Sequence, residues 1–212
     1  MSPFRRADDV LRGRPAGRPW GLVLACGLAY GAVMGTFGGI EGDRPWQVVF
    51  SAIKVPLLLL VTLGLSLPSF FVISTLLGVR SDFAESFRSI VASQAALGLI
   101  LVSLAPLTCV WYASSAAYEP AILFNALMFT VASLGAQWHL RRAYQALIVR
   151  NPRHRWLLRA WLLIYAFVGI QLGWTIRPFL GAPNLPVRFF RGGELENAYV
   201  VFARMVWDVA AH

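Results

Sequence analysis

Long stretches of this chain carry no formal charge, among them 55–79, 89–118 and 120–140. Each is at least as long as the roughly 20 apolar residues that a helix needs to cross the hydrocarbon core of a bilayer. A soluble domain carries about 25% charged residues. This chain carries 14%, with 58% hydrophobic residues and a mean hydropathy of +0.61. The expected fold is all-α: a polytopic membrane helix bundle of about five transmembrane helices, with interfacial amphipathic helices at both ends.

Proline marks where those helices begin. It is tolerated at the first helical position because the N–H it lacks would have no partner there. Ser2-Pro3, Arg44-Pro45, Glu119-Pro120 and Asn151-Pro152 all fit this pattern, and Ser2 and Asn151 are also capping residues. Asp82 with Glu85 three residues later has the spacing of a capping box that opens a helix at Phe83. Together with hydropathy, these marks place spans at about 20–40, 46–77, 89–111, 120–140 and 156–176. The second span exceeds a core of roughly 30 Å, so it tilts, bends at Pro56 and Pro68, or starts along the surface. The fourth continues as helix into the arginine-rich connection that follows it.

Residues 1–19 read as a cytoplasmic amphipathic segment with Phe4, Ala7 and Leu11 on one face. Residues 177–212 read as a non-cytoplasmic loop followed by an interfacial helix in NAYVVFARMVWDVAAH, where Arg204 and Asp208 form an i,i+4 pair. No cleavable signal peptide is expected, because the first apolar run outlasts a signal core and lacks a clear cleavage site. The net charge of +9 is concentrated in connections. Thirteen of the nineteen Lys and Arg residues fall on the side of the N-terminus, which orients that side to the cytoplasm of a bacterial inner membrane.

The segment GLAYGAVMGTFGG places Gly27, Gly31, Gly35 and Gly39 at every fourth position. Four residues advance a helix by about 400°, so the glycines drift slowly around one face and open a shallow groove. Lipid supplies no hydrophobic drive between helices, and small residues let backbones approach. Gly169 and Gly173 repeat the spacing on the fifth span. The expectation is a packing seam, used inside the bundle in preference to a dimer interface.

Chemistry is sparse. All ten acidic residues fall in connections, helix ends or interfacial segments, and His139, His154 and His212 lie at a span end, in a loop and at the terminus. Ionisable groups at depth are the usual mark of intramembrane catalysis or ion coupling. No catalytic residue, metal site or cofactor is therefore expected. Cys26 and Cys109 read as small buried hydrophobes.

Neutral polarity and one cation are what is left. Gln94, Asn125, Gln137 and Gln171 lie on spans, where they hydrogen-bond between helices or line a polar path; the first reading is preferred. Lys54, the single lysine, snorkels to the headgroups if its helix starts near Val55. If the helix starts at Trp46, Lys54 is buried and becomes a candidate for an anion or lipid headgroup; snorkelling is preferred. In GWTIRPFLGAP, Arg177 precedes a stiff turn and either clamps a phosphate or a helix-end carbonyl, or is an ordinary interfacial arginine. The loop NPRHRWLLR offers Arg153, Arg155 and Arg159 with Trp156 to acidic lipid or an acidic partner, a role secondary to fixing topology.

The stretches KVPLLLLVTLGLSLPSFFV and LLGVRSDFAESFRSIVASQAALGLILVSLAPL resemble bacterial Yip1-type membrane proteins. The likeness covers about a third of the chain and lies in a proline-containing span, a Gly-containing connection, a Phe-bearing helix start and a span ending near proline. It implies a five-span bundle with a scaffolding or trafficking-like role and no defined catalytic residues. From residues and resemblance together, the expected function is a non-enzymatic inner-membrane scaffold or accessory subunit of a membrane complex or lipid process. Its expected partners are membrane lipids and a membrane protein or a second copy, with no nucleic acid. A channel or transporter for a small or lipidic solute is the alternative.

Overall fold

The computed structural model describes residues 19–39, 41–176, 179–181, 187 and 189. Arg177, the amphipathic segment before Pro19 and the C-terminal helix expected in NAYVVFARMVWDVAAH lie outside the described residues. Among the described residues five helices follow one another: α1 (Pro19–Gly35), α2 (Pro45–Leu76), α3 (Phe83–Ser114), α4 (Tyr118–Arg150) and α5 (His154–Thr175), with one 3-10 turn at Arg80–Asp82. Connections this short force sequence neighbours to run antiparallel. Pro19, Leu76, Phe83, Arg150 and His154 therefore share one end of the bundle, here called the basic end.

The helices form a ring. α1 lies between α2 and α3, α2 also packs on α5, α3 on α4, and a smaller contact between α4 and α5 completes the circle. Inside, Val23, Val55, Leu101 and Ala132 belong to a core made by α1 to α4. Leu63, Phe70, Ile90, Leu147, Leu157 and Trp161 belong to a second core at the basic end, which includes α5. The outside is as apolar as the inside: Leu65, Val110, Leu134, Leu163 and Phe167 are all exposed, while Gln47, Ser51, Lys54, Thr62, Gln94 and Asn125 are buried. Water would punish that distribution, and a hydrocarbon solvent accepts it. α2 to α5 are long and apolar enough to cross a membrane, and these four helices fit a multi-pass integral membrane protein.

Several boundaries differ from expectation. α1 stops at Gly35 and does not reach residue 40, so it has 17 residues and a length of about 25 Å. The chain turns there because Phe37 folds inward and is buried, while Gly38 and Gly39 adopt φ of +85° and +96°. Only glycine enters that region freely. Gly39 therefore lies beyond the helix, with open space where a Cβ would stand, and takes no part in the seam. α2 begins with Pro45 in its first turn, as expected, and runs as one element through Pro56 and Pro68. Cys26 is buried, but Cys109 is exposed on α3.

At the basic end Asp82 precedes α3, yet its side chain caps nothing. Its carboxylate accepts from His154 Nε2 at 3.0 Å and from Arg150 at 3.5 Å, and Arg150 also reaches Glu85 at 3.1 Å. Charge-assisted partners outcompete the backbone amides that a capping box would serve. α2 ends in a Schellman motif: Val79 N–H donates to Ser74 O, Gly78 N–H donates to Thr75 O, and Gly78 takes φ +70°. The Arg153 guanidinium then donates to the free carbonyl of Leu77 at 3.2 Å. Two connections far apart in sequence are thus clasped together. The Asn151 side chain also turns inward on its own loop, accepting from Arg153 N–H at 3.1 Å.

Candidate functional site

The glycine seam joins α1 to α2 within one chain. A Cβ at Gly27 would stand 3.0 Å from Pro56 Cβ, and one at Gly31 would stand 2.8 Å from Ala52 Cα and collide with the Ser51 carbonyl. At Gly35 it would meet Val48 Cα and lie 2.9 Å from Gln47 O. Backbone therefore lies against backbone along three successive turns, and the hydrogen that replaces each Cβ points at the neighbouring main chain. Gly169 and Gly173 also face α2, but across ordinary contact distances to Thr62 and Leu58. A further close approach sits at Gly98 on α3, where a Cβ would be 3.1 Å from Cys26 Cβ.

The seam positions a polar face of α2. Gln47, Ser51 and Lys54 fall at i, i+4 and i+7, so they share one side of the helix. All three are buried. Gln47 Nε2 donates to Ser51 Oγ at 3.1 Å and to the Phe179 carbonyl at 3.3 Å. Ser51 Oγ donates to that same Phe179 carbonyl. The chain leaving α5 thus returns across the start of α2, with Leu180 buried beside Phe37 and Ala121. Gly181 fits where a Cβ would be 3.2 Å from Gln47 Cγ.

Lys54 is 0% exposed, and its Nζ lies 4.8 Å from the centroid of the Phe189 ring, a cation–π contact. Phe189 in turn stands edge-on to Phe50 at 5.3 Å. The preferred snorkelling of Lys54 is therefore overturned. Its helix starts at Pro45, which puts Lys54 about 14 Å along the axis, and aromatic rings cover it from the side. Farther along, Thr62 and Ser66 are buried with hydroxyls that lack a hydrogen-bond partner.

The other polar candidates are spread around the ring. Gln94 Oε1 on α3 accepts from Tyr165 on α5 at 2.8 Å. Asn125 on α4 donates to the Tyr112 hydroxyl on α3 at 2.8 Å and to its own helix at Ala121 O at 2.7 Å. Tyr30 and Thr108 join α1 to α3 at 3.4 Å. Gln137 and Gln171 are half-buried on α4 and α5. The structure thus joins Gln47 and Ser51 through the Phe179 carbonyl, with Lys54 on the same face of α2, whereas Gln94 and Asn125 bond to tyrosines elsewhere in the bundle. An open depression of about 780 Å³ lies at the end opposite the basic one, walled by Thr36, Phe37, Glu41, Arg44, Tyr112 and Ser115 among others. Lys54, Gln94, Asn125 and Gln171 are not part of its wall.

The basic loop is used from within: Arg153 bonds Leu77 O, while the Arg159 guanidinium lies 5.1 Å from the Trp156 ring centroid. Among the described residues no three His, Cys, Asp or Glu side chains gather where a metal ion could be held. Sequence reasoning overlooked Gln47 and Ser51, although their spacing to Lys54 was there to read. It also overlooked the Phe179 carbonyl, which no side-chain pattern can announce. Compared with protein-family models, with curated proteins and with solved structures, the chain matches none.

Proposed function

We propose that this chain is a non-enzymatic integral membrane protein that acts as a scaffold or accessory subunit of a membrane complex or of a lipid process. The observation that carries this reading is the use of its interior polarity. Gln47, Ser51, Gln94, Asn125, Tyr30 and Thr108 bond to one another's helices or to the returning backbone, which makes them interhelical glue. The resemblance to Yip1-type proteins points the same way by analogy. A bacterial inner membrane, with the N-terminus and the basic end in the cytoplasm, is the setting that the arginine distribution favours. Lipids and a membrane-protein partner, or a second copy, are the contacts proposed, without nucleic acid. The test is purification in a mild detergent with absolute mass from light scattering. A stoichiometric companion or a defined homo-oligomer supports the reading, and a bare monomer counts against it.

Lys54 favours a second reading, a channel or transporter for a small or lipidic solute. An ammonium group this deep is expensive in a bilayer and commonly marks a substrate path. Thr62 and Ser66 continue the polar face beyond it. Reconstitution separates the two readings: a change in solute or lipid flux with Lys54→Leu supports transport, and unchanged flux with intact folding returns Lys54 to the architecture.

A further inference from the structure

Two sets of arginines occupy the basic end. Arg150 pairs with Asp82 and Glu85, and Arg153 donates to Leu77 O, so both hold the protein's own connections together. Arg80, Arg142 and Arg159 are used differently. Each guanidinium lies over an aromatic ring: Arg80 at 5.2 Å from the centroid of Phe71, Arg142 at 5.9 Å from that of Trp138, and Arg159 at 5.1 Å from that of Trp156. These arginines and the rings beneath them are all exposed. Among the described residues no carboxylate pairs with any of the three cations.

The rings belong to three different helices, α2, α4 and α5, yet the pairs share one level. Counting toward the opposite end, Phe71 stands five residues in from Leu76, Arg142 eight in from Arg150, and Arg159 five in from His154. At 1.5 Å per residue these depths are about 7 to 12 Å. Arg150 and His154 both bond to Asp82, so the ends from which α4 and α5 are measured coincide. Deeper on the same helices the exposed side chains are Leu65, Leu134, Leu163 and Phe167, which carry no charge. The band of pairs therefore lies where hydrocarbon gives way to headgroups, the layer that tryptophan rings favour.

We propose that these three arginine–aromatic pairs bind the phosphates of anionic phospholipids in the leaflet at the basic end. The ring takes one face of the guanidinium and leaves its edge of N–H donors open, so a phosphate can accept two hydrogen bonds from the fork. Net negative charge is favoured over a zwitterionic headgroup because Arg88, Arg141 and Arg155 are exposed at the same end and repel a headgroup ammonium. An acidic protein segment fits less well, since the pairs are distributed over three helices on faces that are otherwise apolar. The proposal rests on the reading of lipids as contacts of this chain and gives those lipids a headgroup and an address.

Native mass spectrometry of the full chain in a mild detergent tests it, with dioleoylphosphatidylglycerol and dioleoylphosphatidylcholine added in equal amounts. Each site is expected to prefer phosphatidylglycerol by roughly fivefold. Arg80→Gln, Arg142→Gln and Arg159→Gln should each remove one retained phosphatidylglycerol, whereas Arg155→Gln, at an exposed arginine outside the three pairs, should remove none. Equal retention of the two lipids overturns the proposal, and so does a loss with Arg155→Gln as large as with the other three. If a variant does not stay monodisperse, the native chain in vesicles decides. Phosphatidylglycerol brominated near the glycerol should then quench tryptophan fluorescence more than phosphatidylcholine brominated at the same carbons, and equal quenching overturns the sites. The oligomeric mass bears on the scaffold reading alone: a bare monomer that keeps its phosphatidylglycerol supports these sites while counting against a scaffold.

Discussion

Gly27, Gly31 and Gly35 bring α1 onto α2 with backbone against backbone, whereas Gly169 and Gly173 face the same helix at ordinary contact distances. The spacing of the two stripes is alike, so spacing is not what sets the approach. The partner face sets it. Toward α1, α2 presents Val48, Ala52 and Pro56, where the main chain is accessible. The proline also removes one N–H from the helical ladder and leaves a carbonyl without its usual donor. Toward α5 it presents Leu58 and Thr62, whose side chains hold the fifth helix away. A glycine stripe opens a groove; the neighbour decides whether a backbone enters it.

Substitutions can break or sharpen this contrast. The largest effect is expected at Gly31→Leu, which drives a branched side chain into the Ser51 carbonyl and Ala52. The cost is at least about 3 kcal/mol, read as loss of the monodisperse species on size exclusion. Gly31→Ala should cost about 1–3 kcal/mol by the same collision of its Cβ, seen as a lower Tm. Ser51→Ala tests the polar rim of the seam. It removes the hydroxyl bond to Phe179 but leaves Gln47 on that carbonyl, so a loss of about 1 kcal/mol is expected from thermal unfolding. Gly173→Ala should reverse the sign. Its Cβ would sit 3.9 Å from Leu58 Cδ1, and helix propensity alone favours alanine by about 0.8–1.0 kcal/mol, so Tm should rise slightly. Equal losses at Gly31→Ala and Gly173→Ala would mean that the two seams are equivalent after all.

Much of this bundle was legible in residue order because bilayer thickness is a length that apolar runs must match. Pro45 and Phe83 begin helices at the expected places. The end of α1 was hidden, since Phe37 and Ile40 extend the apolar run while Gly38 and Gly39 turn the backbone through positive φ. Hydropathy does not register a dihedral angle. Lys54 was misjudged because its depth depends on where α2 begins, and Pro45 marked that start better than charge did. Asp82 was assigned to a cap because Glu85 is three residues away, while its actual partner His154 is 72 residues away. Local spacing cannot weigh such a competitor.

The cover over Lys54 has a temporal consequence. The Phe179 carbonyl that meets Ser51 comes 128 residues later in the chain, and Phe189 later still. At synthesis rates of roughly 5–20 residues per second, α2 waits for about 6–26 s before that cover exists. During this interval a nascent chain holds an ammonium group in a segment bound for lipid, without the aromatic ring that later shields it. A segment that leaves the ribosome long after α2 thus completes that helix, so chains released early at the end of α5 would carry a defect in α2.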